Sequence, residues 1–412
     1  MKRFEWCVAG LLLLGLRTVS AVEPAPLQAS PEGRQLPGSY SVTTVGAVPV
    51  TAAQGHALMY TEQYLAFDGD VEKLAEADIV KQTTELVKEL DLELQRFRCN
   101  ANMCMRMHVC LKHGSDRVAV EQVLYDLLKG RLPALTFVES DLPVEEALVG
   151  IDAVAYSGYL EEAYRRRLVP LVSRRKGIHG SRHAFLPPGQ SAFVSGQAVR
   201  GESMADSARL TMEQLGETLK FLGADWTNVV HLKTFLREPV KNVPTVREVI
   251  VSHFPDSERI PPQVYVEWTA KGDLEIELVV DVGPAAEGRP RVEYLTPPGL
   301  KASPVFCRVV RVNHGKIVYT SGITGPTGPA DQQVRSIFDG IHNTMAVFRV
   351  DMRHLVKATY YVSDESAGAS LNRLRPKIFD PERPPAASKA TVRGLGLPGA
   401  TIAVDMIGVA EE

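Results

Sequence analysis

The amino-acid sequence predicts an α+β protein built from three tandem copies of one β-β-α-β-α-β-β unit. Two observations carry this. The same order of elements returns at intervals of ~120–130 residues, about one small domain each, and within each interval the apolar period switches between 2 and 3.6. The 412 residues are 45% hydrophobic and 23% charged, with a formal net charge of −3. That is an ordinary globular composition, long enough for about two to four domains. Mixed charges near balance give no reason to expect a polyanion partner for the whole molecule.

At the amino terminus Lys2 and Arg3 precede an apolar run from Val8 to Leu16 that is too short to span a bilayer. Small residues follow in Thr18-Val19-Ser20-Ala21. Residues 1–21 therefore read as a removed secretory signal, and the protein as periplasmic or secreted. Residues 22–45, rich in Pro, Ser and Gly, read as an unstructured leader. Cys7 falls within the signal, leaving Cys99, Cys104, Cys110 and Cys307. Export permits disulfides. The first three of these cysteines crowd one stretch without a paired C-x-x-C, which favours a local disulfide plus a buried thiol over a metal or redox cluster, with the pairing left open.

The first copy, residues 46–158, is the most degraded. It offers a strand at Leu58 to Thr61, a helix from Ile79 to Leu90, a strand from Met103 to Leu111 and a helix from Val118 to Leu128. Strands at Leu135 to Val138 and Leu148 to Ala155 close it. A basic linker, 159–183, leads to the second copy, 184–286. There Ala192 to Gln197 is a strand, and Leu210, Leu215, Leu219 and Leu222 line one face of a helix that Gly223 stops. Val229 to Leu236 alternates as a half-buried strand should, Val243 to Phe254 reads as a helix, and Gln263 to Trp268 and Leu274 to Val282 close the unit. The third copy, 287–412, repeats this order. It has a strand at Lys316 to Gly322, a helix through Val334, Ile337, Phe338, Ile341 and Met345, and a strand at Leu355 to Val362. A helix at Leu371 to Phe379 and strands at Lys389 to Val392 and Thr401 to Val409 complete it. Two helices cover one face of each sheet, so the other face must be buried, and three units in one chain suggest that it is buried against its counterparts.

Taken in order, Val194-Ser195-Gly196-Gln197, the amphipathic helix ending at Leu222-Gly223-Ala224, the strand Val229 to Leu236 and Leu274-Glu275-Ile276-Glu277-Leu278-Val279 resemble the RidA (YjgF, L-PSP) family. So do Tyr319-Thr320-Ser321-Gly322, Arg383-Pro384-Pro385 and Thr401 to Met406 in the last copy. The resemblance implies a chorismate-mutase-like fold, normally a homotrimer with ligand clefts between subunits. Here it implies an intramolecular pseudo-trimer formed by a monomeric chain. It also implies hydrolysis of enamines and imines such as 2-aminoacrylate to the 2-oxo acid and ammonia, with no cofactor and no metal. In the family, an arginine just after a proline at the start of the penultimate strand holds the substrate carboxylate. The first glutamate of the last strand is the proton shuttle.

At the places the resemblance indicates, the middle copy has Gln263 for the arginine, Glu275 for the acid, and Ser195 with Gly196 at the hydroxyl-bearing turn. The last copy offers Lys389 for the arginine, Ser321, Gly322 and Asn372 as further pocket residues, Phe306 near the usual tyrosine, and Ala403 in place of the acid. The first copy has Leu135, Gly150 and Thr61. No copy holds the full set, and a lysine keeps the charge but not the fork of an arginine. The expected function is therefore binding of a small carboxylate- or imine-type metabolite in the interdomain clefts, with deaminase activity weak or lost. The alternative is an active deaminase using Glu275 and Lys389 as catalytic residues of a composite cleft. A third possibility is a scaffold whose clefts are filled by side chains. Taken alone, Lys389 reads as a solvated lysine and Glu275 as a strand-edge charge.

Arg165-Arg166-Arg167, Arg174-Arg175-Lys176, His179 and His183 make the linker basic. The family's older ribonuclease label raises RNA as a partner, but stacking aromatics are scarce there, so no nucleic acid is expected. His179 and His183 lie in a Gly-Ser loop without a third ligand nearby, which argues against a metal.

Overall fold

The computed structural model describes residues 39–45, 48–66, 76–157, 183–255 and 260–411. The signal and the linker up to residue 182 lie outside them. The chain begins with β1 (Ser39–Val45), β2 (Val48–Gln54), β3 (Ala57–Thr61), β4 (Tyr64–Leu65), α1 (Ile79–Gln95), β5 (Cys104–Leu111), α2 (Arg117–Leu127), β6 (Ala134–Glu139) and β7 (Val149–Ser157). It continues with β8 (His183–Leu186), β9 (Ser191–Gln197), α3 (Met204–Phe221), β10 (Val229–Leu236), α4 (Pro239–Ser252), β11 (Gln263–Glu267) and β12 (Leu274–Asp281). It ends with β13 (Val292–Leu295), β14 (Val309–Val312), β15 (Lys316–Thr320), β16 (Ile323–Thr324), α5 (Ala330–Val347), β17 (Leu355–Val362), α6 (Glu365–Leu374), β18 (Ala386–Thr391) and β19 (Ile402–Ala410).

Local chemistry explains most boundaries. Ser203 caps α3 by accepting the Asp206 N–H at 3.1 Å, and Gly223, with φ of 71°, ends it. Ala208, Met212, Leu215 and Leu219 form its buried face, while Leu210 and Leu222 are half-buried. Helix α6 starts six residues before the expected Leu371, because Asp364 caps it by accepting the Ser366 N–H at 2.8 Å. It ends at Leu374, where the chain tightens into a 3-10 turn over Arg375–Lys377 that holds Pro376, a residue with no N–H to continue the α-helical hydrogen bonds.

The sheets are not self-contained, which revises the expected unit boundaries. Their orders are β6-β5-β7-β3-β8 with β4 beside β7, β11-β10-β12-β9-β14-β13, and β1-β2-β15-β19-β17-β18 with β16 beside β19. Strand β8 of the second copy thus completes the first sheet, β14 of the third copy completes the second, and β2 of the first copy completes the third. The exchange closes into a ring. The turns between β2 and β3, β8 and β9, and β14 and β15 each hold a glycine at positive φ (Gly55 69°, Gly189 69°, Gly315 109°), where the chain leaves one sheet for the next. At Gly315 a Cβ would lie 2.7 Å from the Ala410 carbonyl. The leader reading of 22–45 is corrected at its end, where 39–45 pairs with β2 along its whole length. His183, read as linker, is buried in β8 with its Nε2 2.8 Å from the Tyr64 hydroxyl.

The sheet faces away from the helices meet one another. Cys110, Val138 and Leu142 of the first copy, Phe235, Val264 and Val266 of the second, and Tyr361, Ala390 and Val392 of the third form one buried cluster. Each large side chain there contributes about 1.5–3 kcal/mol relative to exposure. At one end Arg393 of the third copy bonds Asp141 of the first at 2.8 Å and Glu267 of the second at 2.8 Å.

Beside this cluster lies a buried polar layer. Asp152, Glu277 and Asp405 occupy one register, opposite His108, Lys233 and Thr359. Arg106 of the first copy reaches Asp405 of the third at 3.1 Å, and Lys357 of the third reaches Glu277 of the second at 2.6 Å. Asp152 instead accepts from Nδ1 of His108 in its own sheet, at 2.9 Å. Lys233 is buried with no hydrogen-bond partner for its Nζ, and burial followed by the nearby Arg106 pushes it below the usual lysine range.

Among the described residues Cys99, Cys104, Cys110 and Cys307 are all free and buried, so the expected local disulfide is corrected. Cys104 and Cys110 lie six residues apart on extended β5, ~20 Å at about 3.3 Å per residue, beyond disulfide reach. Among the described residues no helix is long and apolar enough to cross a membrane.

Candidate functional site between the second and third copies

Strand register sets equivalent positions across the copies. Glu275 lies opposite Phe235, Ala403 opposite Tyr361 and Gly150 opposite Cys110, so these three share one place on the last strand. Gln263 lies opposite Leu232, Leu135 opposite Met107 and Ala387 opposite Ala358. The last copy therefore has Ala387 at the position of Gln263, and Lys389 stands two residues farther along. A slip of two keeps every side chain on its own face, which is why alternation alone could not detect it. Glu62, not Thr61, stands at the place of Ser195. The Thr61 hydroxyl accepts the Ala153 N–H at 2.9 Å, as Thr320 accepts that of Met406 at 3.0 Å.

Between the second and third copies these strands build a charged cleft. Glu275, on β12, lies over the Gly196 backbone at the end of β9, where a Cβ would fall 1.9 Å from its Oε1. Facing it on β18 are the Ser388 hydroxyl and the Lys389 backbone N–H, which favour its ionised form. Burial and the neighbouring Glu277 carboxylate outweigh them and lift its pKa to about 7. Its Oε1 has no hydrogen-bond partner, and neither has the buried hydroxyl of Ser195. Ser388 donates to Glu277 and accepts from the Gly196 N–H at 3.1 Å and the Lys357 Nζ at 3.1 Å, tying the floor of the cleft to the buried ion pair.

Cations come from the third copy. The Lys389 amine is half-buried, and burial and the charge of Arg375 lower its pKa while Glu275 opposes them. Arg375 donates from Nη2 to the Asn372 Oδ1 at 2.7 Å, and its guanidinium lies 5.1 Å from the centre of the Tyr360 ring. Its Nε is buried without a partner. Phe306 sits two residues before Arg308, whose carbonyl accepts the Ser195 N–H at 2.9 Å and whose guanidinium lies 4.7 Å above the Phe306 ring.

The structure thus brings Glu275, Ser195 and Gly196 of one copy together with Lys389, Asn372 and Phe306 of the next. Gln263 lies elsewhere, between the first and second copies. There its Oε1 accepts the Tyr265 hydroxyl at 2.5 Å and its carbonyl accepts the Gln63 N–H at 3.1 Å. Leu142, Gln63 and Leu65 crowd the space over Gly150. Ser321 and Gly322 line a third cleft of about 490 Å³ with Leu135, Tyr125 and Leu132. The Ser321 hydroxyl donates to the Pro49 carbonyl at 2.7 Å and accepts the Leu135 N–H at 2.9 Å, and Leu135 and Ala403 leave the two key places uncharged.

Sequence reasoning missed Arg375. The available signal was its spacing: three residues beyond Asn372 at the end of a helix puts both on one side. Among the described residues no group of three His, Cys, Asp or Glu side chains is placed to hold a metal ion.

The contact between Gly196 and Glu275 has a measurable consequence. Gly196→Ala is expected to lower stability by about 1–3 kcal/mol through overpacking. Combining it with Glu275→Ala should restore most of the loss in urea unfolding. No recovery in the double variant would mean that Glu275 does not lie over this backbone.

The model of the Endoribonuclease L-PSP family matches residues 180–282 and 300–410, together just over half of the chain. A 2-iminobutanoate/2-iminopropanoate deaminase of Homo sapiens is 34% identical over 91 residues, 22% of this chain and 65% of that protein. Its counterpart in Rattus norvegicus matches equally, so the chain spans about 65% of the length of these curated relatives. Among solved structures, a YjgF-family protein of Neisseria meningitidis is 21% identical with a TM-score of 0.23, covering 29% of this chain and 96% of that one.

Proposed function

This chain belongs to the Endoribonuclease L-PSP (RidA/YjgF) family, and on that premise we propose that it hydrolyses a 2-imino acid to the 2-oxo acid and ammonia in a single composite cleft between its second and third copies. The observation that carries this reading is Glu275. Its Oε1 is buried over the Gly196 backbone without a hydrogen-bond partner, burial and Glu277 lift its pKa to about 7, and its charge acts on Lys389 of the next copy. A carboxyl poised near neutral pH can both take and return a proton. Glu275 removes a proton from a water as its oxygen bonds to the imine carbon and returns it to the imine nitrogen, giving a neutral carbinolamine. The carboxylate then takes the carbinolamine hydroxyl proton as C=O forms and delivers it to the nitrogen as the C–N bond breaks, so that ammonia leaves and the carboxylate is restored. Two features favour one site per chain: Leu142, Gln63 and Leu65 crowd Gly150 between the first and second copies, and the cleft between the third and first has Leu135 and Ala403 at the two key places, its charges coming from Arg117 and Glu121 instead.

The test is release of pyruvate from enzymatically generated 2-aminoacrylate, with semicarbazide trapping the remaining imine. Release well above the spontaneous rate supports the proposal, and equal rates with and without protein overturn it. Binding without turnover is the second reading, favoured by Ala387 at the place of the family arginine. It predicts thermal stabilisation by 2-oxo acids without pyruvate release. Residues 1–21 support placing the activity outside the cytosol, to be tested by whether the exported chain begins at Val22. Strand exchange that closes within one chain supports a monomeric pseudo-trimer, to be tested by sedimentation.

A further inference from the structure

We propose that Arg375 and Lys389 form a two-cation anchor, so that the cleft takes 2-imino acids bearing a second carboxylate in preference to those with a neutral side chain. This rests on the reading of the cleft as a 2-imino acid site and names its substrate class. Lys389 lies opposite Tyr360 in the strand register, and the Arg375 guanidinium stands 5.1 Å from the centre of that ring; the charges acting on Lys389 are Arg375 and Glu275. Beneath them Glu277 and Lys357 neutralise each other at 2.6 Å. Around Lys389 a second cation, Arg375, therefore stands with the one carboxylate of Glu275, which is needed for proton transfer. Holding like charges together in a part-buried cleft is costly unless anions enter it.

Geometry also sets the length of the ligand. In the third copy the family anchor position is Ala387, opposite Ala358, which offers no charge. Lys389 lies two residues on, a shift of ~6–7 Å at about 3.3 Å per residue in an extended strand. Arg375 enters from the end of α6 instead of from the strand. Asn372 holds its Nη2 and the Tyr360 ring covers one face, while Nε is left buried and unpartnered. A guanidinium held this way presents a planar fork suited to a carboxylate. The anchor is thus moved and doubled, which matches a longer ligand with a carboxylate at each end.

The experiment compares 2-iminoglutarate and 2-iminosuccinate with 2-iminopropanoate, each generated in situ by an amino-acid oxidase with catalase. In parallel, thermal shifts with 2-oxoglutarate and pyruvate are read without turnover. The expected result is a kcat/KM about tenfold or more higher for the dicarboxylates. Arg375→Gln should abolish the preference through KM with kcat nearly kept, and Arg375→Lys should restore part of it. Lys389→Met, at a half-buried position, should also weaken the preference. Equal kcat/KM for both classes, or a preference unaltered in both Arg375→Gln and Lys389→Met, overturns the proposal. If no imine is hydrolysed, the deaminase reading fails. Even then, a thermal shift by 2-oxoglutarate over pyruvate that both variants lose supports the anchor, and its absence sinks it.

Discussion

Glu275→Gln is expected to slow imine hydrolysis by about 10²–10⁴-fold, the range for removing a positioned general acid–base. It should also erase an inflection near pH 7 from the kcat/KM profile. The amide keeps the size of the side chain but cannot take a proton from water. The inflection follows from a carboxyl lifted to about 7 by burial first and by Glu277 second. Its ionised form, the base, accumulates as pH rises through that value, so the wild-type rate climbs there while the variant stays flat. Stability moves the opposite way. A carboxyl whose folded pKa lies above its unfolded value of 4.5 contributes stability that is present below 4.5 and lost as pH climbs through about 7. Glu275→Gln should therefore gain on the wild type in thermal melts at pH 8 and show no gain at pH 4. A variant less stable than wild type at pH 8 would mean that the carboxylate is not held out of water.

What was legible in the sequence was whatever local pattern enforces. Strands β10 and β17 begin and end where alternation places them, and α3 stops at its glycine. The strand exchange was not legible, because β8 and β14 carry the same alternating pattern whichever sheet receives them. Only the turns at Gly189 and Gly315, read against the third dimension, decide that. At the site, Glu275 was identifiable from its place in the last strand, and Gly150 and Ala403 proved equivalent to it in register. Lys389 was matched to the wrong place because strand periodicity is blind to a shift of two. Arg375 was invisible, since its role comes from an interface between copies. The buried layer of Asp152, Glu277 and Asp405 was hidden for a related reason. Each acid alone reads as an ordinary strand charge, and two of the three find their closest partner in another copy.

That layer gives the second large expected effect. Lys357→Met should destabilise the protein by about 3–5 kcal/mol at pH 7, the usual result of removing one partner of a buried ion pair. Lys357 and Glu277 side chains are 7% and 11% exposed, so the carboxylate left behind has little access to water. Ser388 still donates to it, but a hydroxyl does not replace a charge. Adding Glu277→Leu should recover most of the loss, because an apolar pair of similar volume is often as stable as a buried salt bridge. The pH dependence has a definite sign. Lys357 and Lys233 overcome burial and hold Glu277 at about 2, against an ordinary 4.5, so the stability it contributes is present above 4.5 and lost as pH falls from 4.5 toward 2. Burial lowers His108 and His231 from 6.5 to about 4, and their contribution is lost as pH falls from 6.5 through 4. Glu275 works the other way between about 7 and 4.5, but two histidines outweigh one carboxyl, so wild-type stability should begin to fall below pH 6.5 and steepen below 4.5, whereas in Lys357→Met the lower step should shrink. Urea unfolding across this range tests both statements. Because the pair joins the second copy to the third, the variant also tests whether the copies fold as one unit: a single transition that shifts as a whole is expected. Loss of only one part of the signal, or a cost below about 1 kcal/mol as for exposed pairs, would show that the copies do not depend on one another for burial.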